Sequence, residues 1–203
     1  MIFDIIVFDG VDELDALGPL EVLRSAASLG ADIEVRLVTR EQRDEVVGAN
    51  GLRFRPDGTY RPGEADVLIV TGGGWVGRAP QGAWAEVQSG EWLPLLAEAR
   101  HTTHLLASVC TGSMLLAHAG IIGARRATTH HGAWSDLVAT GATLVEERVV
   151  DDGDLVTGGG VTSGIDVALW LVAREFSPEL AAQVADRLEY TATAPLAPST
   201  TEG

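Results

Sequence analysis

Leu105-Leu106-Ala107-Ser108-Val109-Cys110-Thr111-Gly112-Ser113-Met114-Leu115-Leu116-Ala117 reads in three parts: a short apolar run, small residues around the chain's single cysteine, and an apolar stretch of helical character. A strand that turns sharply into a helix has this form, and the residue at the bend presents its side chain. Because the thiolate is the nucleophile and a helix N-terminus favours negative charge, a thiol at such a bend is expected to ionise easily. The bland reading stands beside it, since free cysteines are often small, buried core hydrophobes. The neighbours of Cys110 in the fold decide between the two.

Working outward, Ile5–Phe8, Ile33–Val38, Val67–Val70, Leu105–Val109 and Leu155–Thr157 are short apolar or β-branched runs closed by Gly, Asp or Thr, the pattern of buried strands. Helical patterns lie between them: Leu14–Leu29, Trp84–Arg100 interrupted by Pro94, Gly112–Ala119, Ala133–Thr140 and Ile165–Phe176. This alternation predicts an α/β fold with a mostly parallel sheet covered on both faces. Arg53–Gly63, with Pro56, Gly58 and Pro62, reads as a loop or edge hairpin. Leu144–Val150 and Leu155–Thr157 read as a hairpin turning at Asp151-Asp152-Gly153-Asp154. A single domain over 1–190 is expected, with an irregular tail over 191–203 rich in Ala, Pro, Ser and Thr.

Composition narrows the class of partner. The 203 residues are long enough for one sizeable core, and 46% of them are hydrophobic. A formal charge of -15 argues against nucleic-acid binding, which draws on clustered Lys and Arg. Small-molecule substrates fit better. No apolar run approaches membrane-spanning length, and the N-terminus lacks the basic n-region of a signal peptide. One cysteine excludes an intrachain disulfide and multi-cysteine metal sites, so a cytoplasmic protein is expected.

In open α/β sheets ligands bind beyond the carboxyl ends of the strands. Asp15, Gly72-Gly73-Gly74, Cys110 and Gly158-Gly159-Gly160 all follow predicted strands there. Asp15 is a candidate proton partner for the thiol, or simply a helix N-cap. Gly72 and Gly73 are candidate backbone donors, or only a strand-to-helix turn. Thr157-Gly158-Gly159-Gly160-Val161-Thr162-Ser163-Gly164 lacks the Lys of a phosphate loop and the final Gly of the dinucleotide fingerprint. His101 and His104 have helical spacing without a nearby acidic ligand, which favours surface histidines over a metal site. Either His130 or His131 is placed to reach the thiol, although neighbours on a strand point to opposite faces. Trp75 and Trp134 read as pocket walls or as plain core.

These motifs together resemble the DJ-1/PfpI superfamily, and within it the isonitrile hydratase branch. The resemblance runs through Leu14-Asp15 with Pro19, Gly72-Gly73 with Gly77, Ser108-Val109-Cys110-Thr111-Gly112-Ser113, Arg126-Ala127-Thr128-Thr129-His130, Thr157-Gly158-Gly159-Gly160 with Gly164-Ile165-Asp166, and Leu188-Glu189-Tyr190. Peptidase-like members place His directly after the nucleophile, where this chain has Thr111. Glyoxalase-like members carry Glu where it has Asp15.

The resemblance implies a flavodoxin-like three-layer sandwich with a cysteine nucleophile elbow, a homodimer, and catalysis without metal or organic cofactor. It implies that Cys110 attacks a small electrophile, that Asp15 moves protons, that Thr111 positions the acid or water, and that backbone N–H groups of Gly73 and Thr111 stabilise developing charge. Gly72, His130 and His131 complete the expected substrate-binding set. Thr71 stands where the family usually has Pro, and His131 where the hydratases have Trp. A related thiol-dependent lyase, cyclase or glyoxalase-type enzyme, or a redox-sensing domain, is therefore the alternative to an isonitrile hydratase.

Overall fold

The sheet is built mainly from the apolar runs, because strands buried on both faces are nearly continuous in apolar residues; the buried Asp4 of the first strand is the charged exception and is paired with Arg36 at 2.7 Å. In chain order the elements of the computed structural model, which describes residues 1–193, are β1 (Ile2–Ile6), α1 (Glu13–Ser28), β2 (Glu34–Thr39), β3 (Val46–Val47), β4 (Arg53–Phe54), β5 (Gly58–Thr59), β6 (Val67–Val70), α2 (Ala83–Ser89) and α3 (Leu93–Thr102). They continue with β7 (Leu105–Ser108), α4 (Gly112–His118), β8 (Arg126–Ala127), a 3-10 turn over His131–Ala133, α5 (Trp134–Ala139), β9 (Thr143–Leu144), β10 (Val149–Asp151), β11 (Leu155–Gly158), α6 (Ser163–Glu175) and α7 (Pro178–Arg187).

Seven strands form the main sheet in the order β10-β11-β7-β6-β1-β2-β5, parallel except for the β10–β11 hairpin. The register sets Phe3 beside Val67, Val67 beside Leu105, and Leu106 beside Leu155. One helical layer packs α1 against α6 and α6 against α7, and the other brings α2 and α3 onto α4. This is the expected three-layer α/β sandwich. The chain leaves β1 toward β2 on one side and returns to β6 on the other, so the strand order switches direction between β1 and β6. Crevices beyond the carboxyl ends of strands at such a switch are where open α/β sheets bind ligands.

Several expectations change. The Trp84–Arg100 pattern becomes two helices, because Gly90 at φ 73 closes α2 and Pro94 opens α3, where its missing N–H costs nothing. The Arg53–Gly63 stretch is no hairpin of its own. Its first part pairs antiparallel with Val46–Val47, and Gly58–Thr59 adds a parallel edge strand beside β2. Leu144 belongs to β9, which pairs with β8, so the acidic-turn hairpin is confined to β10 and β11. Helix α7 was not expected, although Ser177 caps it by accepting the Leu180 N–H at 3.1 Å and Pro178 follows at the first helical position. His101 lies in the last turn of α3 while His104 lies beyond the helix, 3.4 Å from Glu175, so the two share no helix face. Of the expected tail, residues 194–203 lie outside the described residues.

Candidate active site

Val109 and Cys110 leave β7 into a bend whose backbone is fixed from both sides. The Val109 N–H donates to the Val70 carbonyl at 2.9 Å, and the Cys110 N–H donates to the Gly159 carbonyl at 2.8 Å. The Cys110 carbonyl accepts from the Thr129 hydroxyl at 2.9 Å and the Ser113 hydroxyl at 3.4 Å. Ser113 also reaches the Ser108 hydroxyl and the Thr128 carbonyl. Cys110 itself sits at φ 55, left-handed backbone that costs a non-glycine residue about 1–2 kcal/mol. Such strain persists only where surrounding bonds over-determine it, as they do here.

Asp15 is not the cap of α1. Asp12 holds that position and accepts the Leu14 N–H at 3.4 Å, which leaves Asp15 in the first turn with its side chain fully buried. One Asp15 oxygen accepts the Gly72 N–H at 2.9 Å, while the carboxyl neighbours the Cys110 thiol and its buried Oδ1 has no hydrogen-bond partner among the described residues. The Gly73 N–H donates to the Thr111 hydroxyl at 3.0 Å. Gly72 is required by close approach, since a Cβ there would lie 2.5 Å from both the backbone nitrogen and the hydroxyl of Thr111. Carboxyl, thiol, glycine pair and threonine are thus gathered at the switch point, as the sequence led one to expect.

Their electrostatics differ from the expectation. Burial, then the neighbouring Asp12 charge, pushes the Asp15 carboxyl well above the ordinary carboxylate range, against the Gly72 N–H and the thiol. Burial, then the Asp15 charge, pushes the Cys110 thiol up to about 12 rather than down, although the Val161 and Thr111 N–H groups favour the thiolate. Helix α4 is only seven residues long and begins two residues beyond the sulfur, too little to offset desolvation. The donor pair is also revised. Gly73 gives its N–H to Thr111, so the backbone groups at the sulfur belong to Thr111 and Val161. Nothing in the residue type of Val161 marks it as a backbone donor, so the sequence alone does not single it out.

A cavity of about 180 Å³ opens over the thiol, walled by Gly73, Gly74, Trp75, Val76 and Val161, with Asp12 and His130 also facing it. The Trp75 nitrogen donates to Asp136 at 2.7 Å, so ring carbon is what it offers the cavity. His130 accepts the Gly132 N–H on Nδ1 at 3.1 Å, which leaves the proton on Nε2, and burial lowers its pKa. His131 is corrected: it is exposed, stacks on His130 at 4.3 Å between ring centroids, and lines a neighbouring hollow with Trp134 and Arg148. Thr71 also stays out of the cavity, buried with its hydroxyl donating to the Ile6 carbonyl at 2.6 Å. Among the described residues no three His, Cys, Asp or Glu side chains are grouped to hold a metal ion. No helix among them is long and apolar enough to cross a membrane.

A parallel α/β sandwich with a cysteine at a strand-to-helix elbow and a buried acid beside it defines a class of cysteine-centred domains. The DJ-1/PfpI family model matches residues 4–174, and the chain belongs to that family. It is 38% identical to isonitrile hydratase of Pseudomonas putida over 193 residues, 94% of this chain and 78% of that one. It is 30% identical to the HTH-type transcriptional regulator CdhR of Pseudomonas aeruginosa over 91% of this chain and 54% of the regulator. This chain therefore spans about half of that protein. Among solved structures, a ThiJ/PfpI family protein from Pseudomonas syringae superposes with a TM-score of 0.81 at 29% identity, covering 96% of this chain and 76% of that one.

Proposed function

We propose that the protein is an isonitrile hydratase-like hydro-lyase, converting an isonitrile and water to an N-substituted formamide through Cys110. The observation that carries this reading is the buried Asp15–Cys110 pair, in which both groups are held toward their protonated forms. The terminal carbon of an isonitrile must receive sulfur and a proton on the same atom. A dyad that stores protons next to sulfur suits that addition. Acyl transfer instead calls for a ready thiolate and a dedicated set of oxyanion donors. Here the Gly72 and Gly73 N–H groups are engaged by Asp15 and Thr111.

In the proposed sequence Asp15 protonates the isonitrile carbon as Cys110 sulfur bonds to it, and the thiol proton passes to Asp15. The product is a thioimidate, R–N=CH–S–Cys110. Asp15 then protonates the imine nitrogen as water adds to the carbon and returns a proton to the carboxylate. Collapse breaks the C–S bond, releases R–NH–CHO and restores the thiol, with the Thr111 and Val161 N–H groups stabilising charge on sulfur. No cofactor enters this sequence. The working unit is taken to be a cytoplasmic homodimer, as the family resemblance implies, and light scattering distinguishes it from a monomer.

Formamide release from alkyl and aryl isonitriles tests the reading directly. Wild-type protein is expected to turn over at least one of them, and Cys110→Ala to have no activity. Absence of wild-type turnover across the series overturns the substrate, and turnover retained by Cys110→Ala overturns the mechanism. Lactate formation from methylglyoxal at higher kcat/KM than any isonitrile would replace it with the glyoxalase-type alternative.

A further inference from the structure

We infer that the Cys110 cavity selects small electrophiles that carry a cationic nitrogen, and that the Asp12 carboxylate is the group that recognises it. The inference rests on the proposed reading of Cys110 as a nucleophile reached through this cavity. Asp12 caps α1 through a single long bond to the Leu14 N–H, and no Lys or Arg among the described residues pairs with its carboxylate. It faces the cavity together with Cys110 and His130.

No lysine or arginine lines the cavity to balance it, and burial, then stacked His131, hold the His130 pKa below the ordinary imidazole range even though Asp12 favours its cation. The remaining wall is ring carbon of Trp75, the Val76 and Val161 side chains and glycine backbone, surfaces that accept an organic cation without competing for its charge. A formal charge of -15 over the whole chain draws cations and repels anions before they arrive. Nothing in the carboxyl's role as a cap requires charge, because Asn caps a helix about as well as Asp. Asp12 therefore places an unpaired carboxylate at the mouth of a site whose inner acid, Asp15, already serves the thiol.

The single cysteine permits a test that does not depend on turnover. Three methanethiosulfonates are compared, bearing 2-aminoethyl (cationic), methyl (neutral) and 2-sulfonatoethyl (anionic) groups. In each, Cys110 loses its proton to solvent, its sulfur bonds the thioalkyl sulfur, and methanesulfinate leaves. Rates read by mass spectrometry are divided by those of the same reagent with a free small thiol. The cation-to-anion ratio is expected to be about a hundredfold or more for wild type and to fall about tenfold in Asp12→Asn, which keeps the cap. Glu21→Gln, which removes one exposed charge from the same helix outside the cavity, is expected to leave the ratio unchanged. An unchanged ratio in Asp12→Asn, or an equal fall in Glu21→Gln, overturns the role of Asp12. Failure of all three reagents to label native Cys110, when they label it in the unfolded chain, overturns the reading of Cys110 as a reachable nucleophile and the inference with it.

Discussion

Asp15 is a carboxyl with one hydrogen bond, no exposure and an acidic neighbour, an arrangement that stability alone would not favour. Its raised pKa makes a signed prediction. In the unfolded chain the group ionises near pH 4, while the native state keeps its proton to higher pH. Relative stability from this group is therefore fully present below about pH 4 and is lost as pH rises through the folded value. Asp15→Asn, which retains an acceptor for the Gly72 N–H, is expected to melt above wild type at pH 7 and level with it at pH 4. Under the proposed reaction the same variant should lose about 10²–10⁴-fold in isonitrile turnover, because it removes the proposed proton carrier. Thermal melts at the two pH values and an activity assay check the pair of effects. At Cys110 the lesson is similar: a sequence shows a thiol before a helix, but it cannot weigh a short helix against the loss of water.

At the level of elements, two turns brace a third, the bend at the end of β7. The β6 exit gives its Gly73 N–H to Thr111 at the β7 exit, and the β11 exit receives the Cys110 N–H through the Gly159 carbonyl. The elbow is thus held by chain segments on either side of β7 rather than by its own sequence. Thr111→Val keeps the side-chain shape but strands the buried Gly73 N–H, and is expected to cost about 1–3 kcal/mol in urea unfolding. Thr111→Ser should restore most of that loss, since it returns the acceptor. The candidates Gly72, Gly73 and Thr111 were legible because they follow strand ends, and Asp15 because it opens the helix after the first strand. Sequence alone does not separate Asp12 from Asp15, and only the observed cap distinguishes the N-cap acid from the acid buried in the first turn.

At the scale of the molecule, the site depends on a sheet whose centre is closed to water. Ile69 in β6 is fully buried, between Ile5 and Ala107 on the flanking strands. Ile69→Ala is expected to cost about 2–5 kcal/mol, and at this chain size about 2–4 °C of Tm for each kcal/mol, readable by calorimetry. The alternation of apolar runs with helical patterns by itself determined the parallel α/β sandwich, because strands that exclude water on both faces must be apolar and their crossovers must be amphipathic. It located Cys110, Asp15 and the glycine turns at one sheet edge for the same reason. Strand order, the antiparallel Val46–Val47 pairing and the placing of His130 inside the cavity but His131 outside it were decided only by the tertiary structure. So was the upward push of burial on the thiol pKa. Each depends on which distant segments meet and how much water they exclude, and neither quantity is local to the residues that feel it.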